Sequence, residues 1–376
     1  MKDINELLSR LNYSSDVINF NSGSLGFIPP FVIEDIHTYL LERNRKGAAY
    51  GEYWNAVDRA RELVGEKIGA KPDEICFLQS TSMGINLIAN ALPLHTGDEV
   101  IITDMEFGSN VFPWLNLAPR GVKTVFVHNR EGEITAEDIL TAVTERTKVI
   151  AVSWVMSGNG VVLDLEKIGA FCKAHDIFFV VDGIQGLGVL PVDVKAVGCD
   201  FFVSGFFKWM MGPDGIAFVY IDSKALPKLS YPWLGWAGMK DKFNASSFKV
   251  EPVGNARCYE TGNMNYSAIH ALIPLLEATE GYDEAIYERV CSLVRRLRTG
   301  LETIPEIRVT TPEGPLSGIT HFTSTDDERL IPELQKRGFN FTVRSGIRIS
   351  LHIYNTEEEV DRLIETIKNI FQGGTI

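Results

Sequence analysis

The chain has no paired cysteine framework, no excess of basic charge and no long apolar run, and each shortage removes a class of protein. Its five cysteines, at positions 76, 172, 199, 258 and 291 of 376, show no CxxC and no metal-ligand spacing. Such scatter excludes a disulfide scaffold, gives no metal site and fits a reducing, cytoplasmic setting. Most of the five stand in apolar runs, where cysteine behaves as a small core residue. A net charge of −13 argues against nucleic acid or an anionic membrane surface as the main partner. The opening residues MKDINELLSRLNYS lack the apolar core of a secretory signal. No stretch approaches the ~20 apolar residues of a membrane span. Internal repeats and low-complexity segments are absent as well. What remains is a globular chain, 45% hydrophobic and 23% charged, long enough for two domains with substantial cores.

The stretch 175–215, HDIFFVVDGIQGLGVLPVDVKAVGCDFFVSGFFKWMMGPDG, carries the chemistry. Its two apolar runs, 177–181 and 201–203, read as strands and end in polar residues, Asp182 and Ser204. Lys208 then sits among Phe206, Phe207, Trp209, Met210 and Met211. Taking an ammonium out of water is costly, so such a lysine has a depressed pKa. A partly neutral amine is a nucleophile suited to forming a Schiff base with an aldehyde. Pyridoxal phosphate chemistry needs that amine and a carboxylate for the pyridinium nitrogen, and Asp182 can supply it.

These motifs, D-G-I-Q at 182–185, S-G-F-F-K at 204–208 and G-P-D-G from Gly212, resemble the class V aminotransferase pattern. That family of fold-type I pyridoxal phosphate enzymes includes cysteine desulfurases, kynureninase, isopenicillin N epimerase-like proteins and C–S lyases. The resemblance implies an α/β fold: a mostly parallel seven-stranded sheet sandwiched by helices, plus a smaller α+β C-terminal domain. Residues 20–264 would form the large cofactor-binding domain, and residues 1–19 with 265–376 the small one. It further implies a homodimer with active sites near the subunit interface.

Around this centre the chain reads as alternating strands and helices from Glu74 to Val203, a pattern that gathers ligands at the strands' carboxyl ends. A strand at 74–78 leads into Ser80-Thr81-Ser82-Met83 and a helix from Ile85, a pattern suited equally to a plain helix cap or an anion site. By resemblance Thr81 and Ser82 contact the cofactor phosphate, with the backbone of Met83 a lesser candidate and Ser204 a further donor. Phe107, after the strand at 99–103, would stack on the pyridine face, and Asn110 would line the pocket. Gln185 would hydrogen-bond the phenolic oxygen, and Ser157 or Asn159 would point toward that oxygen or the substrate. The glycine- and serine-rich stretch 19–27 reads either as an ordinary turn or as part of the active-site entrance. Tyr259-Glu260-Thr261-Gly262-Asn263 is similar to a segment that reaches the neighbouring subunit's phosphate, with Asn263 in place of threonine.

From Ser267 long helices take over, followed by short strands around Arg308, Ile319 and Phe341. A strand at 347–353 would set Arg348, Ser350 and His352 on one face. An arginine fork grips carboxylates through paired hydrogen bonds, and the resemblance gives Arg348 the substrate's carboxylate, with Arg344 and His352 as second candidates. Desulfurases of the family carry a catalytic cysteine on a loop shortly before that arginine. Here only Ser345-Gly346-Ile347 separate Arg344 from Arg348, and no cysteine follows Cys291. Persulfide chemistry by that route has no nucleophile. The expected function is therefore a pyridoxal phosphate enzyme acting at Cα of an amino acid, with Lys208 as its base. Transamination is the first expectation, a C–S or other β-lyase or an epimerase the alternatives, and a non-catalytic cofactor-binding regulator a distant one.

Overall fold

Short runs rich in valine, isoleucine and phenylalanine punctuate the first two-thirds of the chain, and in the computed structural model they become strands. The structure describes residues 2–47, 50–243 and 249–372. Helix α1 (Ile4–Leu11) and strand β1 (Ile18–Asn19) precede helices α2 (Pro30–Lys46) and α3 (Tyr50–Ile68). Strand β2 (Ile75–Leu78), helix α4 (Thr81–Ala91) and strands β3 (Glu99–Thr103), β4 (Lys123–Val127), β5 (Thr147–Ser153), β6 (Phe178–Asp182), β7 (Phe201–Gly205) and β8 (Ala217–Ile221) follow. The last third holds β9 (Ile307–Val309), β10 (Ile319–Ser324), β11 (Phe339–Asn340), β12 (Thr342–Val343) and β13 (Ile347–Ser350).

Strands β2 to β8 form one seven-stranded sheet in the order β2-β8-β7-β6-β5-β3-β4. Only β8 runs against its neighbours; the pairings among β7, β6, β5, β3 and β4 are parallel. Alternate residues of each strand enter opposite cores, as the pleat dictates. Ile75, Phe77, Ile150, Val152, Phe179, Val181 and Phe202 pack into one core. Cys76, Leu78, Val149, Ala151, Val180, Phe201 and Val203 pack into the other. Helix α4 lies on this second face, and Gly84 lets it approach: a Cβ there would come within 2.5 Å of Val203. This is the sandwiched sheet that the family resemblance implies.

A second sheet, β12-β13-β10-β9, is antiparallel throughout, and β1 pairs in parallel with β11. The N-terminal segment thus joins the C-terminal part: Asn355 Nδ2 donates to Asn19 O, and Ser350 N to Phe20 O. Phe341 falls between β11 and β12, where the sequence suggests a strand centre. Strand β13 stops at Ser350, short of 353, because Asn355 folds back to take the His352 N–H on its side-chain oxygen. Among the described residues no helix is long and apolar enough to cross a membrane.

Candidate active site

Asp182 closes β6 opposite Val203 of β7, so the loop that follows β7 rises beside its carboxylate. That loop is tight: Met211 N donates to Lys208 O, Gly212 N donates to Phe206 O, and Met211 holds a left-handed φ of 55°. Lys208 Nζ lies 5.6 Å from the Phe207 ring centre and 6.0 Å from that of Phe107. Burial lowers the lysine to about 8, although Asp182 pulls the other way. Burial likewise pushes the Asp182 carboxyl up to about 6, against the Ile184 N–H and the Lys208 charge. The two groups form a partly desolvated acid–amine pair at the strands' carboxyl ends.

They share a cavity of about 170 Å³ with Ser80, Thr81, Ser82, Phe107, Ser109, Ser153, Ser157, Ile184, Gln185 and Phe207. A larger cleft of about 420 Å³ lies among residues 133–136, 160–164 and 312–315, but no lysine, arginine or histidine lines it. Helix α4 begins at the smaller cavity, one turn earlier than its apolar run suggests. Ser80 caps it by accepting from Met83 N, which leaves Thr81 and Ser82 in the first turn. Ser82 Oγ meets Ser109 Oγ at 2.7 Å, whereas the buried Thr81 Oγ1 has no partner among the described residues. Gln185 is fixed at both ends, its Nε2 donating to Gly23 O and its Oε1 accepting from Trp209 Nε1. The stretch 22–26 leans on the same loop: Gly26 N donates to Phe207 O, and a Cβ on Gly26 would stand 1.9 Å from Lys208 O.

Three expected residues lie outside the lining. Ser204 is buried and donates to Gly205 O, so its hydroxyl is turned into the strand end and away from the cavity. Asn263 is exposed in a left-handed turn with φ 42°, on a segment that makes no part of this cavity. Arg348, 1% exposed, stands one layer behind Ser157, with Nη1 donating to Ser157 O and Nη2 to Ser24 Oγ and Thr342 Oγ1. Its Nε is buried without a partner among the described residues, and burial, then Arg344, lowers it to about 10. Such an uncompensated guanidinium is poised for an anion.

Of the second-rank residues, Arg344 holds its guanidinium 5.6 Å from the centre of the Phe107 ring. His352 is fully buried between Trp209 and Tyr354 and lowered by burial to about 4. Its Nδ1 accepts from Ile353 N and its Nε2 donates to Trp209 O, so it is a neutral packing element and not a carboxylate ligand. Asn110 accepts from Trp114 Nε1 and donates to Glu106; Asn159 donates to Gly132 O. Neither lines the cavity, and of the pair 157 and 159 only Ser157 does.

Sequence reasoning overlooked Glu106, Ser109 and Ser153. Glu106 lies half-buried beneath Ser153, accepting from its N–H and Oγ and from Asn110 and Thr103. Burial raises this carboxyl to about 7, and Asp182 adds to the rise. A glutamate just past β3 was visible in the sequence, but its depth comes only from packing.

An aromatic aldehyde phosphate suits this donor set: an amine of lowered pKa, a buried carboxyl, a ring for stacking, and an orphaned hydroxyl at a helix N-terminus. Fold and site together define a pyridoxal phosphate-dependent enzyme of fold type I. The chain belongs to the Aminotransferase class-V family, whose sequence model matches residues 20–363. It is 28% identical over 338 residues to a probable cysteine desulfurase of Methanothermobacter thermautotrophicus, covering 84% of this chain and 83% of that one. A probable cysteine desulfurase of Pyrococcus abyssi is 28% identical over 394 residues, 96% of each chain. Among solved structures, C-DES with glycine covalently linked to its PLP cofactor superposes with a TM-score of 0.89 at 21% identity, over 98% of this chain and all of that one. The apo cysteine desulfurase of Thermococcus onnurineus NA1 gives a TM-score of 0.89 at 24% identity, over 99% of each. These two likenesses speak to the fold alone.

Proposed function

We propose that this protein is a C–S β-lyase of the class V family, releasing a thiol from an S-substituted cysteine. One observation carries the reading: all five cysteines are buried, with thiols pushed up by desolvation, and none lines the Lys208 cavity. Relatives named cysteine desulfurase act on cysteine sulfur. With no thiolate at the site to receive that sulfur, it would have to leave with its own substituent.

Bound pyridoxal phosphate supplies an aldehyde for the substrate amine and an electron-poor ring that draws charge from Cα. Lys208 would hold it covalently, Asp182 would face the ring nitrogen and Phe107 would lie against the ring. Thr81 and Ser82 would take the phosphate and Gln185 the phenolic oxygen; Asn263 of the other subunit of a homodimer is a lesser phosphate candidate. Arg348, reached past Ser157, is assigned the substrate carboxylate. Once the substrate's amine has taken its place on the aldehyde, the Lys208 amine would be free to take the Cα proton. The Cβ–S bond then breaks with its electron pair going to sulfur, and a proton completes the thiol. The released 2-aminoacrylate takes up water and yields a 2-oxo acid and ammonia.

Incubating the cofactor-loaded protein with S-ethylcysteine alone should release ethanethiol, pyruvate and ammonia in equal amounts. Transamination, the first expectation from sequence, predicts instead a sulfur-bearing 2-oxo acid that forms only with an amino acceptor. Epimerisation predicts loss of optical rotation with no thiol.

A further inference from the structure

Arg344 sits at the tip of a hairpin in which Thr342 pairs with Arg348 and Val343 with Ile347. The turn between them has three residues, with Ser345 at φ 50° and Gly346 at φ 140°, and is closed by Arg344 N donating to Gly346 O. It is packed from beneath. A Cβ on Gly346 would lie 2.7 Å from Phe322 O and 2.8 Å from the His321 ring. His321 Nε2 donates to Arg344 O, which leaves its Nδ1 to accept from Thr310 Oγ1. The backbone of Arg344 is therefore fixed, while its side chain is exposed and has no carboxylate or hydrogen-bond partner among the described residues.

Both Lys208 and Arg344 lie within 6.0 Å of the centre of the Phe107 ring, a residue of the cavity wall. Arg348 supplies a second guanidinium behind Ser157. Two separate arginines thus stand near the cavity: Arg348 is buried behind Ser157 and held by three hydrogen bonds, and Arg344 is exposed beside Phe107 on a rigid base. A substrate with one carboxylate uses only one of them. From this arrangement, and resting on the lyase reading, we infer that Arg344 recognises a second carboxylate, at the far end of the S-substituent. The substrate class is an S-(carboxyalkyl)cysteine or a close analogue, and Arg344 is its specificity-determining residue.

The test compares S-(2-carboxyethyl)cysteine with its neutral isostere S-(2-carbamoylethyl)cysteine. Calorimetry on the cofactor-loaded protein reads binding, and pyruvate is assayed in the same samples. Hydrogen bonds to charged groups predict that the carboxylate form binds at least about tenfold tighter. That preference should collapse toward one in Arg344→Gln and invert in Arg344→Glu. Equal binding of the two isosteres by the parent protein overturns the inference, as does an undiminished preference in Arg344→Gln. A fall in pyridoxal phosphate affinity in Arg344→Gln, with the preference retained, would assign the arginine to the cofactor phosphate and also overturn it. Tenfold preference without pyruvate release upholds the subsite and removes the lyase chemistry instead.

Discussion

Lys208 and Asp182 are each driven toward neutrality by burial and pulled back by the other's charge. The neutral amine is the nucleophile, so the rate at which the apoprotein captures pyridoxal phosphate, followed by absorbance, should climb with pH through about 8. A rate that rises only near the ordinary lysine pKa of ~10.4 would show the amine to be fully hydrated. The same burial has a stability consequence. A lysine whose folded pKa is depressed destabilises the fold fully below that value, and the penalty fades as pH rises toward its unfolded pKa. Lys208→Met should therefore stabilise the apoprotein at neutral pH by on the order of 2–3 kcal/mol, while abolishing turnover. Thermal melts should show that gain shrinking from pH 8 toward pH ~10.4; a pH-independent gain would reduce it to packing alone. Of the site itself, the sequence revealed the lysine, because a charge inside an aromatic run demands a reason. It did not reveal how deep Glu106 lies or how far behind Ser157 Arg348 stands, since both depend on contacts between distant segments.

Among elements, the strands of the large sheet were readable because both of their faces are buried, which leaves continuous apolar runs with hydroxyl or acidic residues at the ends. The apolar run from Ile85 marks helix α4 one turn too late because its first turn is polar; Thr81 and Ser82 belong to the helix itself. Apolar alternation through Ile353 makes the strand bearing Arg348 look longer than it is, since the backbone turns after Ser350. The glycines of the 22–26 stretch have a role that composition alone conceals. Gly26 lets that stretch touch the backbone of Lys208, where any Cβ would stand 1.9 Å from a carbonyl oxygen. Gly26→Ala should lower stability by about 1–3 kcal/mol, as overpacking does, and cut turnover by shifting the lysine loop. Denaturant unfolding and kcat measured together check this; an unchanged midpoint would mean the contact is easily relaxed.

At the scale of the molecule, the cavity opens where the large sheet's carboxyl ends face the segment that ties residues 18–21 to the C-terminal strands. The division into residues 20–264 and residues 1–19 with 265–376 remains our proposal, as does the homodimer with shared sites. If Asn263 serves the partner's site, Lys208→Ala and Asn263→Asp subunits, each impaired alone, should recover about a quarter of parental activity when mixed and reassembled, since half the dimers then carry one intact site. No recovery would mean that Asn263 acts within its own subunit and not in the partner's site. Val343 and Ile347 face each other across the β12–β13 ladder. Chain inserted between them would leave every pairing in place and add only ~0.6 kcal/mol per doubling of loop length. The hairpin tip is thus a graft point: a longer, cysteine-bearing excursion spliced in there would emerge beside Phe107 and equip this scaffold with the sulfur acceptor it was built without.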